Sequence, residues 1–75
     1  MKKGDRVIFV NEGTYYTLGK NNPLKGSEWF CEGTIDSYGL GWIRVAWDNG
    51  TSNSYITGDL LVIRSNFFDD KLFEI

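Results

Sequence analysis

Few side chains in this sequence are suited to carrying a reaction. The carboxylates set among apolar and aromatic residues are Glu28, Glu32, Asp36, Asp48 and Asp59; Cys31 is the single thiol, and histidine is absent. Without histidine, Ser-His-Asp and Cys-His relays and imidazole metal ligation are excluded. A lone cysteine closes neither an internal disulfide nor a zinc site. A carboxylate pair acting on a glycosidic bond needs a fixed separation across a cleft. Asp48, however, opens the turn signal Asp48-Asn49-Gly50, and Asp59 is placed to cap the turn ahead of Leu60. Both read as structural. Cys31 reads as a small core or half-buried strand residue. Gly39-Leu40-Gly41 is no phosphate loop, because no Lys-Ser/Thr follows and no strand-to-helix step is predicted. The expectation is a protein that is not an enzyme and that uses no cofactor and no metal.

Recognition is the chemistry that remains. Twelve residues are aromatic in a chain of 75, and each such side chain buries roughly 150–250 Å². A single small domain near the lower size limit for independent stability cannot hide them all. Tyr15 and Tyr16 fall in a long irregular segment, Trp42 starts a strand beside a short turn, and Tyr38 adjoins that turn. With Asn21 and Asn22 of the same segment they form the predicted partner-binding set: Tyr15, Tyr16, Asn21, Asn22, Tyr38 and Trp42. Tyr15, Tyr16 and Trp42 are expected to form one partly exposed patch. Exposed aromatics with few charges match the composition of protein-recognition hot spots. The expected core is Val7, Phe9, Phe30, Ile35, Ile43, Val45, Trp47, Tyr55, Leu60 and Val62.

The elements that must position these residues are strands. The first runs Asp5 to Val10, β-branched and bounded by Gly4 and Asn11-Glu12-Gly13. Asn11 to Ser27 is rich in glycine and asparagine and holds the single proline, Pro23; so long a loop is often functional. A second strand is expected over about Glu28 to Ser37, and a third over Trp42 to Trp47, with Ile43, Val45 and Trp47 on one face. Asp48-Asn49-Gly50 predicts a tight hairpin of type I′, with positive φ at both Asn49 and Gly50. A fourth strand covers Thr51 to Ile56, Thr57-Gly58-Asp59 is a single turn, and Leu60 to Ile63 is a short, fully buried last strand. No segment before Ser65 has helical periodicity. This order is that of a small five-stranded barrel of the Src-homology-3 (SH3-like) kind, all-β, over residues 1–63. An OB-type barrel is usually longer and carries a helix between its third and fourth strands.

The tail, 64–75, differs. Phe67, Phe68, Leu72, Phe73 and Ile75 fit one helical face, with Asp69, Asp70, Lys71 and Glu74 on the other. So short a helix must pack on something, either the barrel end or a partner, which makes homo-oligomerisation through the tail a further expectation.

The net charge of −2 argues against nucleic acid, whose binding domains are usually basic. The longest apolar run, Leu60-Leu61-Val62-Ile63, is far below the 18 or so residues of a membrane span. No secretory signal is read at the N-terminus, so a cytoplasmic protein is expected.

The run Val45-Ala46-Trp47-Asp48-Asn49-Gly50-Thr51-Ser52-Asn53-Ser54-Tyr55, followed by Gly58-Asp59-Leu60, resembles the C-terminal half of the Mind bomb/Herc domain family. That family's pattern is similar to W-D-N-G-x-x-N-x-Y-R, a glycine, then D-L. Gly4-Asp5-Arg6-Val7 and Gly33-Thr34-Ile35 fit its first and second strands. The chain departs from it at Ile56, where the family usually has arginine, and in the loop Asn21-Asn22-Pro23-Leu24-Lys25-Gly26. In length and layout it is more similar to small standalone proteins encoded by bacteriophages. The resemblance implies an SH3-like barrel used for protein recognition, not catalysis, and does not identify the partner; for a phage-encoded protein the expected partner is a host protein, which it would modulate or inhibit. The alternative is an oligomer that sequesters a nucleotide-like small ligand by aromatic stacking.

Overall fold

The computed structural model describes residues 1–11 and 16–65; Tyr15 and the expected tail helix over 66–75 lie outside them. Five strands are formed: β1 (Arg6–Phe9), β2 (Gly33–Gly39), β3 (Trp42–Trp47), β4 (Ser52–Tyr55) and β5 (Leu60–Arg64), with a 3₁₀ turn at Thr57–Asp59. All pair antiparallel in one sheet of order β4-β3-β2-β1-β5. The protein is therefore all-β, as expected. Among the described residues the sheet is not closed, and β4 and β5 are its two edges.

Alternation along β3 sets the two faces. Ile43, Val45 and Trp47 are buried while Trp42, Arg44 and Ala46 are exposed, the period-2 pattern of a half-buried strand. The buried face joins Val7, Phe9, Ile35, Tyr55 and Leu60 in one core, with Tyr16, Leu24, Cys31 and Val62 packed at its margin. Two expectations about the core need correction. Ile8 is buried although its parity points it away from Val7 and Phe9, so both faces of β1 are covered at that point. Phe30 is exposed rather than buried.

The reason lies in where β2 begins. It starts at Gly33, later than Glu28, because the chain turns at Ser27–Phe30, with Phe30 N–H donating to the Ser27 carbonyl at 3.2 Å. Gly33 then passes so close to the core that a Cβ there would stand 2.5 Å from Trp47 Cε3 and 2.6 Å from Val45 Cγ1. The strand can approach Trp47 only at a residue without a side chain. Further on, β2 carries a bulge: Ile35 pairs with Val45 and Ser37 with Arg44, leaving Asp36 as the extra residue. A bulge re-aims the side chains beyond it, and Tyr38 now pairs with Ile43, on the core-facing side of the sheet.

The β3–β4 hairpin is tight but is not type I′. No residue other than glycine has positive φ among the described residues, whereas Gly50 has φ +90°. Gly50 N–H donates to the Trp47 carbonyl at 3.0 Å, and Trp47 N–H to the Thr51 carbonyl at 2.8 Å. These bonds and signs match a three-residue loop in which a type I turn is followed by a left-handed glycine. The extra loop residue lets Asn49 keep negative φ. The last strand also differs from expectation, since in β5 only Leu60 is fully buried and Leu61 and Ile63 are exposed. An edge strand has a neighbour on one side only.

Gly33→Ala should destabilise the protein by about 1–3 kcal/mol through overpacking against Trp47 and Val45. A lowered urea midpoint at unchanged m-value checks this; an unchanged midpoint would show that the close approach is not tight.

Candidate functional site

The long segment between β1 and β2 is fastened to the β3–β4 hairpin by hydrogen bonds from the Trp47-to-Tyr55 run. The Lys20 carbonyl accepts from Asn49 Nδ2 at 2.6 Å. Asn49 is oriented in turn by Thr51 N–H, which donates to its Oδ1 at 3.0 Å. The Asn21 carbonyl accepts from Trp47 Nε1 at 3.1 Å and from the Tyr55 hydroxyl at 2.6 Å. Asn22, 5 % exposed, uses both ends of its amide. Its Nδ2 donates to the Thr17 carbonyl at 2.9 Å, and its Oδ1 accepts from Asn53 Nδ2 and the Tyr55 hydroxyl at 2.7 and 2.8 Å. Trp47 also donates to the Tyr55 oxygen at 3.1 Å. An irregular segment brought against a core needs such partners, because an unmatched buried polar group is costly.

A second fastening centres on Asp59, buried at the end of the 3₁₀ turn. Its carboxylate accepts from Asn11 Nδ2 and from the Tyr16 hydroxyl, and from Ile56 N–H at 3.3 Å. Asn11 and Tyr16 flank residues 12–15, so one carboxylate holds both ends of that stretch. The Tyr16 ring packs edge-on against Phe9 at 5.1 Å and lies 5.3 Å from the Tyr55 ring. Burial, and next the adjoining Asp59 carboxylate, push the Tyr16 hydroxyl up to about 12; burial does the same for Tyr55.

On the opposite face, Arg6 grips Asp48 through two hydrogen bonds, of 2.8 and 2.6 Å. It also reaches Thr34 Oγ1 at 2.8 Å and Glu32 at 3.0 Å, and Arg64 approaches Glu32 at 3.4 Å. The hydrogen bonds from Arg6 hold the Asp48 carboxyl below the usual range. Asp48, Glu32 and Asp59 are thus engaged within the fold, which is a structural use of carboxylates. Among the described residues no three His, Cys, Asp or Glu side chains gather as a metal site, and no helix is long and apolar enough to cross a membrane.

The expected binding residues are therefore dispersed. Tyr16 is half-buried on the core side, Asn22 is enclosed, and Asn21 contributes its carbonyl to the fastening. Trp42 stands on the outer face with its indole over Gly39, whereas the bulge directs Tyr38 to the other side. Tyr16 and Trp42 are separated by the sheet and share no patch; Tyr15 lies outside the described residues. Tyr38 and Trp42 do share one end of the sheet, 55 % and 43 % exposed. Leu40 at the β2–β3 tip joins them fully exposed, and so does Ile56, which follows Tyr55, the partner of Ile43. Sequence reasoning missed Leu40. The available signal was its position: an apolar residue between two glycines at a hairpin tip has no neighbour to pack on. Comparison with family models, with curated proteins and with solved structures finds no match to this chain.

Two outcomes test the fastening. Asn22→Ala should cost about 1–3 kcal/mol, since it removes the partners of Asn53 Nδ2 and the Thr17 carbonyl and one of those of the Tyr55 hydroxyl; the denaturant midpoint reads it. The phenols bear on alkaline pH. A raised folded-state pKa means that the fold favours the neutral hydroxyl. That contribution is whole below the unfolded tyrosine value near 10 and is lost as pH rises towards 12. Stability followed from pH 9 to 12 should fall, and Tyr16→Phe should start lower and fall less. An identical fall in the variant would remove Tyr16 from the account.

Proposed function

We propose that this protein is a non-enzymatic protein-binding module with an SH3-like arrangement, which docks a partner at the β2–β3 end of the sheet. The observation that carries the proposal is the uncovered apolar group at that end, Leu40, Trp42 and Ile56, with Tyr38 exposed on the other face of the sheet. Large aromatic and aliphatic side chains left in water at one place are the anchors from which interface hot spots are built. The fold reading is supported by the strand order, in which β5 pairs with β1 beside a β2-β3-β4 meander, and by the 3₁₀ turn ahead of β5. The resemblance to the Mind bomb/Herc family, and in layout to small phage-encoded proteins, adds the class of partner: a protein of a bacterial host, which binding would inhibit or redirect. The carboxylates support binding over catalysis, because Asp48 and Glu32 face Arg6 and Asp59 faces its own three donors.

Tagged protein passed over a bacterial lysate tests the proposal. The wild type should retain one protein stoichiometrically. Trp42→Ala and Leu40→Asp should each weaken capture by about 2 kcal/mol or more, roughly thirtyfold in Kd, with unchanged melting temperature. A co-purifying ultraviolet-absorbing small molecule in place of a protein would favour the sequestering alternative. Salt-sensitive binding abolished by changes at Lys2 and Lys3 would point to a polyanion.

A further inference from the structure

Asn49 is the one asparagine of the sequence that precedes a glycine. An Asn-Gly pair can lose its side-chain amide without any enzyme. The glycine nitrogen attacks the asparagine Cγ, the Cγ–Nδ2 bond breaks, and ammonia leaves with the proton that the backbone amide gives up. Water then opens the resulting five-membered imide at either carbonyl, to aspartate or to isoaspartate. Glycine favours the step because no Cβ obstructs the approach. In the folded hairpin both reacting nitrogens are engaged. The attacking one, Gly50 N–H, donates to the Trp47 carbonyl at 3.0 Å. The leaving one, Asn49 Nδ2, donates to the Lys20 carbonyl at 2.6 Å. Asn49 Oδ1 accepts from Thr51 N–H at 3.0 Å and from the Thr51 hydroxyl at 2.6 Å. The residue is otherwise exposed, so water and base reach it as soon as these bonds open.

We propose that Asn49 is a deamidation site which the fastening of the long loop holds in check, and whose conversion in turn unfastens the loop. The second half follows from a count of protons. The Thr51 hydroxyl lies 2.9 Å from the Lys20 carbonyl and 2.6 Å from Asn49 Oδ1, but it has a single proton to give. With the amide in place, Nδ2 serves the Lys20 carbonyl and the hydroxyl proton is left for Oδ1. A carboxylate at 49 has no donor. Thr51 then offers two protons, from its N–H and its hydroxyl, to three oxygens, and a carboxylate oxygen takes the place of Nδ2 against the Lys20 carbonyl. A negative charge also arrives next to Asp48, whose own carboxylate is held by Arg6. The isoaspartate product goes further, since it adds a carbon to the main chain of a three-residue turn. Asn53 provides a comparison within the chain: its Nδ2 is also bonded, to Asn22 Oδ1, but the residue after it is Ser54, which carries a side chain.

Mass spectrometry of the full chain, held at mildly alkaline pH with and without guanidinium chloride, tests the first half. In denaturant, conversion of amide to carboxylate should be found at Asn49 ahead of Asn53. In buffer alone the rate at Asn49 should fall by roughly tenfold or more, because only the opened hairpin reacts. Equal rates with and without denaturant would overturn the proposal, as would earlier conversion at Asn53. Hydrogen exchange on Asn49→Asp tests the second half. The amides of Asn22 and Lys25, bonded to the Gly19 and Phe9 carbonyls, should exchange about threefold faster or more, while the β2–β3 amides keep their protection. Where Asn49→Asp loosens the sheet as well, Asn49→Ala decides, since it removes the Nδ2 donor without adding a charge and should free the same two amides. Loop amides that stay as slow as in the wild type, in the variant that keeps the sheet, would overturn the proposal.

Discussion

Backbone carbonyls of an irregular segment must find donors once water is excluded, and here those of Lys20 and Asn21 find them on a single hairpin. Asn49 serves the first; Trp47 and Tyr55 serve the second. The dependence runs both ways. An indole N–H and a phenol turned into a core need acceptors of their own, and the Asn21 carbonyl serves both. The loop is therefore as necessary to the burial of Trp47 and Tyr55 as they are to the placing of the loop. Asn22 completes the arrangement by presenting a donor and an acceptor where the backbone has neither to offer.

From this knot the other features extend outward. Trp47 fixed in place leaves room for β2 only at Gly33, which sets where that strand can begin. The hairpin that carries Asn49 also carries Asp48, and Asp48 reaches to the other face to take the forked grip of Arg6. One turn thus ties the long loop to β4 on one side of the sheet and β1 to β3 on the other. Asp59 repeats the device at the far end of the core, collecting Asn11, Tyr16 and the start of its own 3₁₀ turn. Buried polar groups of this kind hold a small fold to one arrangement when all of them are matched, and no buried side-chain polar atom among the described residues is left without a partner.

Strand β3 was legible to the residue, because its alternation is strict and both ends are marked by turns. The core was legible for the same reason at Val7, Phe9, Ile35, Ile43, Val45, Trp47, Tyr55 and Leu60. What escaped depends on non-local fit. The start of β2 is decided by the clearance of Trp47, which no local pattern encodes. The bulge at Asp36 inverts the side to which Tyr38 points, so a simple period of two assigns that residue to the wrong face. Asn22 is a polar residue in a loop and reads as exposed; only its three-dimensional neighbours reveal it as an internal strut. The functional expectation fared accordingly. Tyr38 and Trp42 stand exposed at the β2–β3 end on opposite faces, while Tyr16 and Asn22 belong to the fastening of the loop.

The same fastening has a kinetic meaning. The bonds that seat the loop join residues 26 to 34 positions apart in the chain, whereas the β3–β4 turn closes within a few residues. Loop-closure entropy delays distant contacts until something rigid exists to receive them. The receiving groups, Trp47, Asn53 and Tyr55, come into line only when β3 and β4 are already paired. In these terms the hairpin is the cheap, local contact and the seating of the loop the distant one that depends on it.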